Sequence, residues 1–232
     1  MRPPIMKISC IICAFNEARR IGAVLTVASA HPLLDEVIVV DDGSTDGTPE
    51  IVRTFPSVRL ISYANNRGKS CAMAAGIAAA GNGLLMLLDA DLKGLVADNV
   101  TALAEPVLAG RADVSISLRR NSLLIYRIIG IDFVSGERVI RKELLSESLA
   151  EMRRLPRFGI EVFTNRRIIA GKFSIAVVRW ARVTQARKTE KIGWCRGVWA
   201  ECRMLFDILR ITYPLAAIAQ TYRMRSLRIG VD

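Results

Sequence analysis

The 232-residue chain has one histidine, His31, only 6% aromatic residues, and five cysteines at positions 10, 13, 71, 195 and 202. An odd cysteine count, mostly within apolar runs, excludes a disulfide framework. Cys10 and Cys13 have C-x-x-C spacing, but no second pair follows and His31 stands in a turn-like His31-Pro32 step. Reduced, buried thiols are expected there rather than a zinc site. No G-x-G-x-x-G follows the first apolar run, which argues against a dinucleotide oxidoreductase. The same loop lacks the Gly-rich, Arg- and Lys-containing sequence expected of a sugar nucleotidyltransferase. The aromatics form no stacking platform, so no nucleic-acid partner is expected. The N-terminus reaches Lys7 without a long apolar stretch, so no signal peptide is read. The uncharged stretch from Ser70 to Leu88 approaches membrane-spanning length, yet Gly76, Gly81, Asn82 and Gly83 break it into a helix, a turn and a strand.

What is present suits one globular domain, or one domain with a tail: 51% apolar and 24% charged residues. The formal charge of +11 is unevenly spread. Residues 1–115 carry 10 Lys+Arg against 12 Asp+Glu, whereas residues 116–232 carry 23 against 10, so all the excess lies in the second half. That asymmetry points to a polyanionic partner such as a membrane surface or a phosphorylated substrate.

The apolar runs at Lys7 to Ala14, Asp35 to Val40, Val58 to Tyr63 and Leu84 to Leu88 read as buried strands. Between them, Asn16 to Ala30, Thr48 to about Thr54 and Ser70 to Ala80 read as helices, the first capped by Asn16. Strands alternating with helices predict an α/β fold: a mostly parallel central sheet with helices on both faces. Ligands bind such sheets beyond the carboxyl ends of the strands. Ala14-Phe15-Asn16-Glu17, Asp41-Asp42-Gly43-Ser44 and Asp89-Ala90-Asp91 follow three of these strands, so carboxylates collect on one edge. Asp89 and Asp91 offer hard oxygen ligands for Mg²⁺ or Mn²⁺.

ISCIICAFNEARRI, DEVIVVDDGSTDGT, NRGKSCAMAAGIAAA and LLMLLDADL, in this order, resemble the nucleotide-binding half of family 2 glycosyltransferases with the GT-A fold. DVSISLRR, FVSGERVIRKELL and RFGIEVFTNRR extend the resemblance toward polyprenyl- and dolichyl-phosphate sugar transferases. The resemblance implies an inverting enzyme that moves a sugar from a GDP- or UDP-linked donor to a membrane-associated phosphate or lipid. It places Ala14, Asn16 and Glu17 at the nucleotide, Asp41 and Asp42 at the base, and Lys69 near the diphosphate. Asp89 and Asp91 would hold the metal and sugar-nucleotide, and Arg119, Arg120 and Arg138 the acceptor phosphate. Asp91, Arg119 and Glu161 are the expected catalytic set, Glu161 serving as base if the acceptor is a hydroxyl. Where many relatives carry a metal-facing Gln, this chain has Lys93, which has no lone pair for a cation.

A GT-A domain is expected over residues 1–170, with its nucleotide half at about 7–120 and its acceptor half at about 113–170. Residues 171–232 read as a basic, amphipathic helical tail, with Arg196, Arg203, Asp207 and Arg210 on one stripe and Trp194, Trp199 and Phe206 among the other positions. That tail suits an anionic membrane surface, the catalytic domain or a second subunit. The expected location is cytoplasmic, peripheral at the membrane face. A non-catalytic nucleotide-sugar-binding module is the alternative from outside enzymology.

Overall fold

The computed structural model describes residues 7–155, 159–185 and 214–230. The stripe around Arg196 to Arg210, with Cys195 and Cys202, lies outside them. The chain alternates β1 (Ile8–Ala14), α1 (Ala18–Ala28), β2 (Leu34–Asp41), α2 (Thr48–Arg53), β3 (Val58–Ser62), α3 (Lys69–Ala79) and β4 (Leu84–Asp89). There follow β5 (Leu92–Lys93), α4 (Ala97–Leu108), β6 (Val114–Arg119), α5 (Leu124–Ile129), β7 (Arg138–Arg141), α6 (Glu143–Ser146) and α7 (Leu149–Met152). Last come α8 (Gly159–Ala170), β8 (Ile175–Trp180), β9 (Thr184–Gln185), α9 (Pro214–Ser226) and β10 (Arg228–Ile229).

Eight strands form one sheet in the order β10-β8-β6-β7-β4-β1-β2-β3. All neighbours are parallel except β7, which runs antiparallel between β4 and β6. The strand period of two sorts β1 onto two cores. Ile8, Cys10 and Ile12 pack with α1 and α4 on one face, while Ile11 packs with Ala72 and Ile77 of α3 on the other. Cys10 and Cys13 therefore stand on opposite faces of β1 and cannot share a metal. Burial raises the pKa of both thiols, as expected of inert core cysteines.

Strand order reverses between β1 and β4, and this switch point opens a crevice at their carboxyl ends. Because β7 is antiparallel, its beginning, not its end, reaches that edge. The sheet also continues past residue 170, where a separate helical tail was expected: β8 pairs with β6, and β10 pairs with β8. β-Branched Ile175, Val177 and Val178 supply strand chemistry there. No helix among the described residues is long and apolar enough to cross a membrane.

Candidate active site

The side expected to take the donor is built by side chains that bind backbone amides. Asp46 Oδ2 accepts from the Ala18 amide at 3.1 Å and its Oδ1 from the Thr48 amide at 3.2 Å, while Thr48 Oγ1 accepts from the Glu17 amide at 2.9 Å. The exposed amides at the start of α1 are thus capped from another loop. Burial opposes the Asp46 charge, but these hydrogen bonds prevail and hold its carboxyl below the usual range. Asn16 does not cap α1 as expected. Its backbone is left-handed (φ 56°), and its Oδ1 accepts from the Thr45 amide at 2.9 Å.

Asp42, expected at the base, also has a structural task. Its two oxygens accept from the Arg67 and Gly68 amides, each at 2.8 Å, which makes it the clamp of the loop before α3. That loop lies so close that a Cβ on Gly43 would come within 2.6 Å of the Asn65 backbone. Asp41 is different: its Oδ2 accepts from the Ser44 amide, while its Oδ1 is buried with no hydrogen-bond partner among the described groups. Glu17 is buried and takes Arg20 Nη1 at 3.0 Å. The Ala14 carbonyl accepts from the Asp42 amide at 2.8 Å.

The side expected to take the acceptor, where Lys69 and Asp89 of the nucleotide half also converge, is built instead from charged side chains meeting one another. Lys69, the first residue of α3, donates to Asp89 Oδ1 and to Glu161 Oε1, both at 2.9 Å. Asp89 Oδ2 accepts from Gln185 Nε2 at 3.0 Å and faces Arg119 Nη1 at 3.7 Å. Arg119 Nη1 also meets Glu137 Oε1 at 2.5 Å, and its Nη2 lies 3.8 Å from Asp132 Oδ2. Burial works against the charge of Asp89, but Lys69 and Arg119 hold its carboxyl at about 2. Burial likewise opposes the Lys69 charge, and Asp89 and Glu161 prevail, raising its pKa well above the ordinary value. Burial dominates at Glu137 and pushes its carboxyl up despite Arg119.

Arg138, expected at the acceptor phosphate, is instead a buried strut. Its Nε, Nη1 and Nη2 donate to the Ser135 carbonyl, Asn165 Oδ1 and the Phe133 carbonyl. With 1% of its surface exposed, it has neither reach nor a spare nitrogen for a ligand. Arg120 is exposed at the end of β6. Arg119 keeps one donor in reserve: Nε is buried and has no partner among the described groups, as is Glu161 Oε2.

Four participants were not read from the sequence. Glu137 and Asp132 flank Arg119, and Gly136 lets β7 approach, since a Cβ there would fall 2.6 Å from Asp89 Oδ1. Gln185 arrives on β9, which pairs with β5 so that Lys93 lies opposite Thr184 and Leu92 opposite Gln185. Lys93 stays exposed on β5, and an amide reaches Asp89 from the opposing strand. An uncharged Gln far along the chain gives no local signal of this. Glu137, an acid between Gly136 and Arg138 ahead of an apolar strand, was the legible one.

Carboxylates outnumber cations around Asp89, a charge excess that a divalent cation would offset. Asp89, Asp132, Glu137 and Glu161 interact with Lys69, Arg119 and Arg138, and Asp91, two residues from Asp89, brings the formal balance to two negative charges in excess. Among the described residues no three His, Cys, Asp or Glu side chains gather into a metal cage.

The glycosyl transferase family 2 profile matches residues 9–124, half of the chain. The chain belongs to glycosyl transferase family 2. It is 31% identical to a dolichyl-phosphate beta-glucosyltransferase of Trichomonas vaginalis over 53% of this chain and 44% of that protein. It is 25% identical to the dodecaprenyl-phosphate galacturonate synthase of Rhizobium johnstonii over 90% of this chain and 67% of that protein. The chain spans less than half the length of the first curated relatives it matches. Among solved structures, glucosyl-3-phosphoglycerate synthase of Mycobacterium tuberculosis, in complex with Mn²⁺ and UDP-glucose, superimposes with a TM-score of 0.64. That pair is 24% identical over 78% of this chain and 71% of the other, a likeness that establishes the GT-A fold of this family 2 glycosyltransferase.

Proposed function

We propose that this chain transfers a sugar from a GDP- or UDP-linked donor to the phosphate of a membrane-associated polyprenyl acceptor, inverting the anomeric carbon. The observation that carries the reading is the Lys69 ammonium held at 2.9 Å from both Asp89 and Glu161, which joins the donor and acceptor halves at one point. Relatives named for dolichyl, undecaprenyl and dodecaprenyl phosphates support the acceptor class.

In this reading Asp41 Oδ1 accepts from the base and Glu17 from the ribose hydroxyls. Asp91, with Asp89, is the pair that would hold Mg²⁺ or Mn²⁺. Bound there, the ion would neutralise charge on the departing diphosphate. Lys69 places positive charge at the same edge, and its two carboxylate partners fix its position. Arg119 braces Asp89 through its Nη1 and offers Nε to the acceptor phosphate. An ionised phosphate attacks in line and has no proton to surrender. The basic second half, with the tail expected over residues 171–232, holds the enzyme peripherally at the cytoplasmic membrane face, self-association through that tail being its other use.

One observation favours a second reading. The buried, unpartnered Glu161 Oε2 is a ready proton acceptor, as a hydroxyl acceptor would need. A panel of sugar nucleotides with Mg²⁺ or Mn²⁺, followed by nucleoside diphosphate release with and without a polyprenyl phosphate, tests the transfer itself. Two variants separate the acceptors. For a phosphate, Arg119→Lys impairs acceptor use more than donor binding and Glu161→Gln is tolerated. Near-normal Arg119→Lys with dead Glu161→Gln reverses the assignment in favour of a hydroxyl.

A further inference from the structure

The acceptor edge carries an apolar surface that the transfer chemistry does not use. Directly after Arg119 and Arg120, the chain runs Asn121-Ser122-Leu123-Leu124-Ile125-Tyr126-Arg127-Ile128-Ile129. Tyr126 and Ile129 turn inward, Tyr126 standing edge-on to Phe133 at 5.2 Å. Leu123, Leu124, Ile125 and Ile128 turn outward, and Leu124 and Ile128 expose 68% and 71% of their surface. Four large exposed aliphatics within six residues, three on one short helix and Leu123 at its N-cap, are not scattered surface residues. No acid occurs between Arg119 and Asp132, whereas Arg120 and Arg127 are exposed and Arg228 donates to the Ile129 carbonyl at the end of α5.

We infer that α5 is a docking surface for an anionic lipid bilayer, its aliphatics entering the acyl boundary and its arginines meeting lipid phosphates. The combination decides the occupant: an apolar face in a segment whose exposed charges, Arg120 and Arg127, are both cationic, with Arg228 at its end, is complementary to an anionic membrane. Position supports it. Asn121 holds the Gln185 backbone through both its amide oxygen and its amide nitrogen, and Ser122 Oγ donates to Asp132 Oδ2 at 2.6 Å. Gln185 and Asp132 are the partners of Asp89 and Arg119, so α5 is fastened to the site by direct contacts. Seated in lipid, it would set the crevice at the depth where a lipid-linked phosphate lies. The inference rests on the proposed acceptor class only for that last step.

The test uses the full chain, its Leu124→Glu/Ile128→Glu variant and a milder Leu124→Gln/Ile128→Gln pair, with circular dichroism and thermal melting confirming that each folds. Wild type is expected to sediment with vesicles containing phosphatidylglycerol, more weakly with phosphatidylcholine alone, and to slow hydrogen exchange over residues 123–129 only when the anionic vesicles are added. The variants are expected to bind at least about tenfold more weakly, the Glu pair most. They should lose turnover of a vesicle-embedded polyprenyl phosphate yet keep wild-type turnover of a short, water-soluble one. Equal vesicle binding by wild type and variants overturns the inference. So does slow exchange over 123–129 without lipid, which assigns the face to another part of this chain, or self-association that the variants abolish, which assigns it to a second copy. If wild type uses neither acceptor, the phosphate reading fails while sedimentation and exchange still decide the role of α5.

Discussion

The two sides of the crevice are held by different physics. On the donor side, Asp42, Asp46 and Asn16 spend their oxygens on backbone amides, so each loop is fixed by its neighbour and the carboxylates shape the chain. On the acceptor side, Glu161, Lys69, Asp89, Arg119 and Glu137 hold one another through side chains, and the backbone only delivers them. An amide clamp shapes a pocket for a ligand with a fixed outline. An alternating row of charges can exchange partners, which suits a place where charge must move from a sugar-diphosphate bond to an acceptor. The comparison teaches that loss of a clamp should register mainly as loss of shape, and loss of a charge as loss of rate.

Substitutions can break or sharpen that contrast. The largest effect is expected from Asp91→Ala, which should cut transfer by a factor on the order of 10³ while circular dichroism stays native. Full activity in this variant, or in excess EDTA, would remove the metal role. Glu137→Gln keeps the size of a fully buried group but strips Arg119 of its shortest ion pair. A stability loss of roughly 3 kcal/mol in urea unfolding and a fall in kcat are expected, with little change in donor KM. Asp46→Ala should do the reverse, costing about 1 kcal/mol and raising donor KM more than it lowers kcat. If Asp46→Ala and Glu137→Gln move the same kinetic constant, the two sides are not distinct.

The smallest effect lies in the core. His31 accepts from the Leu33 amide at Nδ1, and its Nε2 faces the Ala97 carbonyl and Thr101 Oγ1. Burial, only partly offset by the Ala97 contact, lowers its pKa below the ordinary 6.5. The folded state therefore favours the neutral ring. Its contribution is complete above pH 6.5 and is lost as pH falls through the lower folded value. Wild type should show an acid slope in thermal stability below pH 6.5 that His31→Gln lacks, with transfer at neutral pH unaltered.

The same contrast governs what could be read from the residue order. The donor side was legible because its strands are apolar runs, its loops follow directly, and loop partners lie 25 to 31 residues apart. Strand boundaries fell within a residue or so of those expected. The acceptor side depends on pairs such as Lys69 with Glu161 and Asp89 with Gln185, separated by 92 and 96 residues. No local pattern encodes which acid a lysine will meet across such a distance. Arg138 shows the limit from the other direction. Its position after Ser135-Gly136-Glu137 suggested a ligand-facing guanidinium, but an antiparallel strand begins there, and the side chain turns inward to carbonyls that sequence alone could not place. β8 was missed because its apolar residues lie among basic ones that drew the whole region into an amphipathic tail.

The pairing of β10 with β8 changes what residues 186–213 are in polymer terms. The described chain on either side of these 28 residues is fixed in the fold, by β9 at Gln185 and by α9 and β10 after residue 213, so both ends of the stretch are held at set points. The entropy of closing a flexible loop grows only with the logarithm of its length, about 0.6 kcal/mol per doubling. Replacing the stretch with a polar linker half as long is therefore affordable to the fold, whereas truncation before Arg228 removes an edge strand and the contact at the end of α5. Exchanging the loop while keeping its two anchors separates what this segment does from what the sheet does.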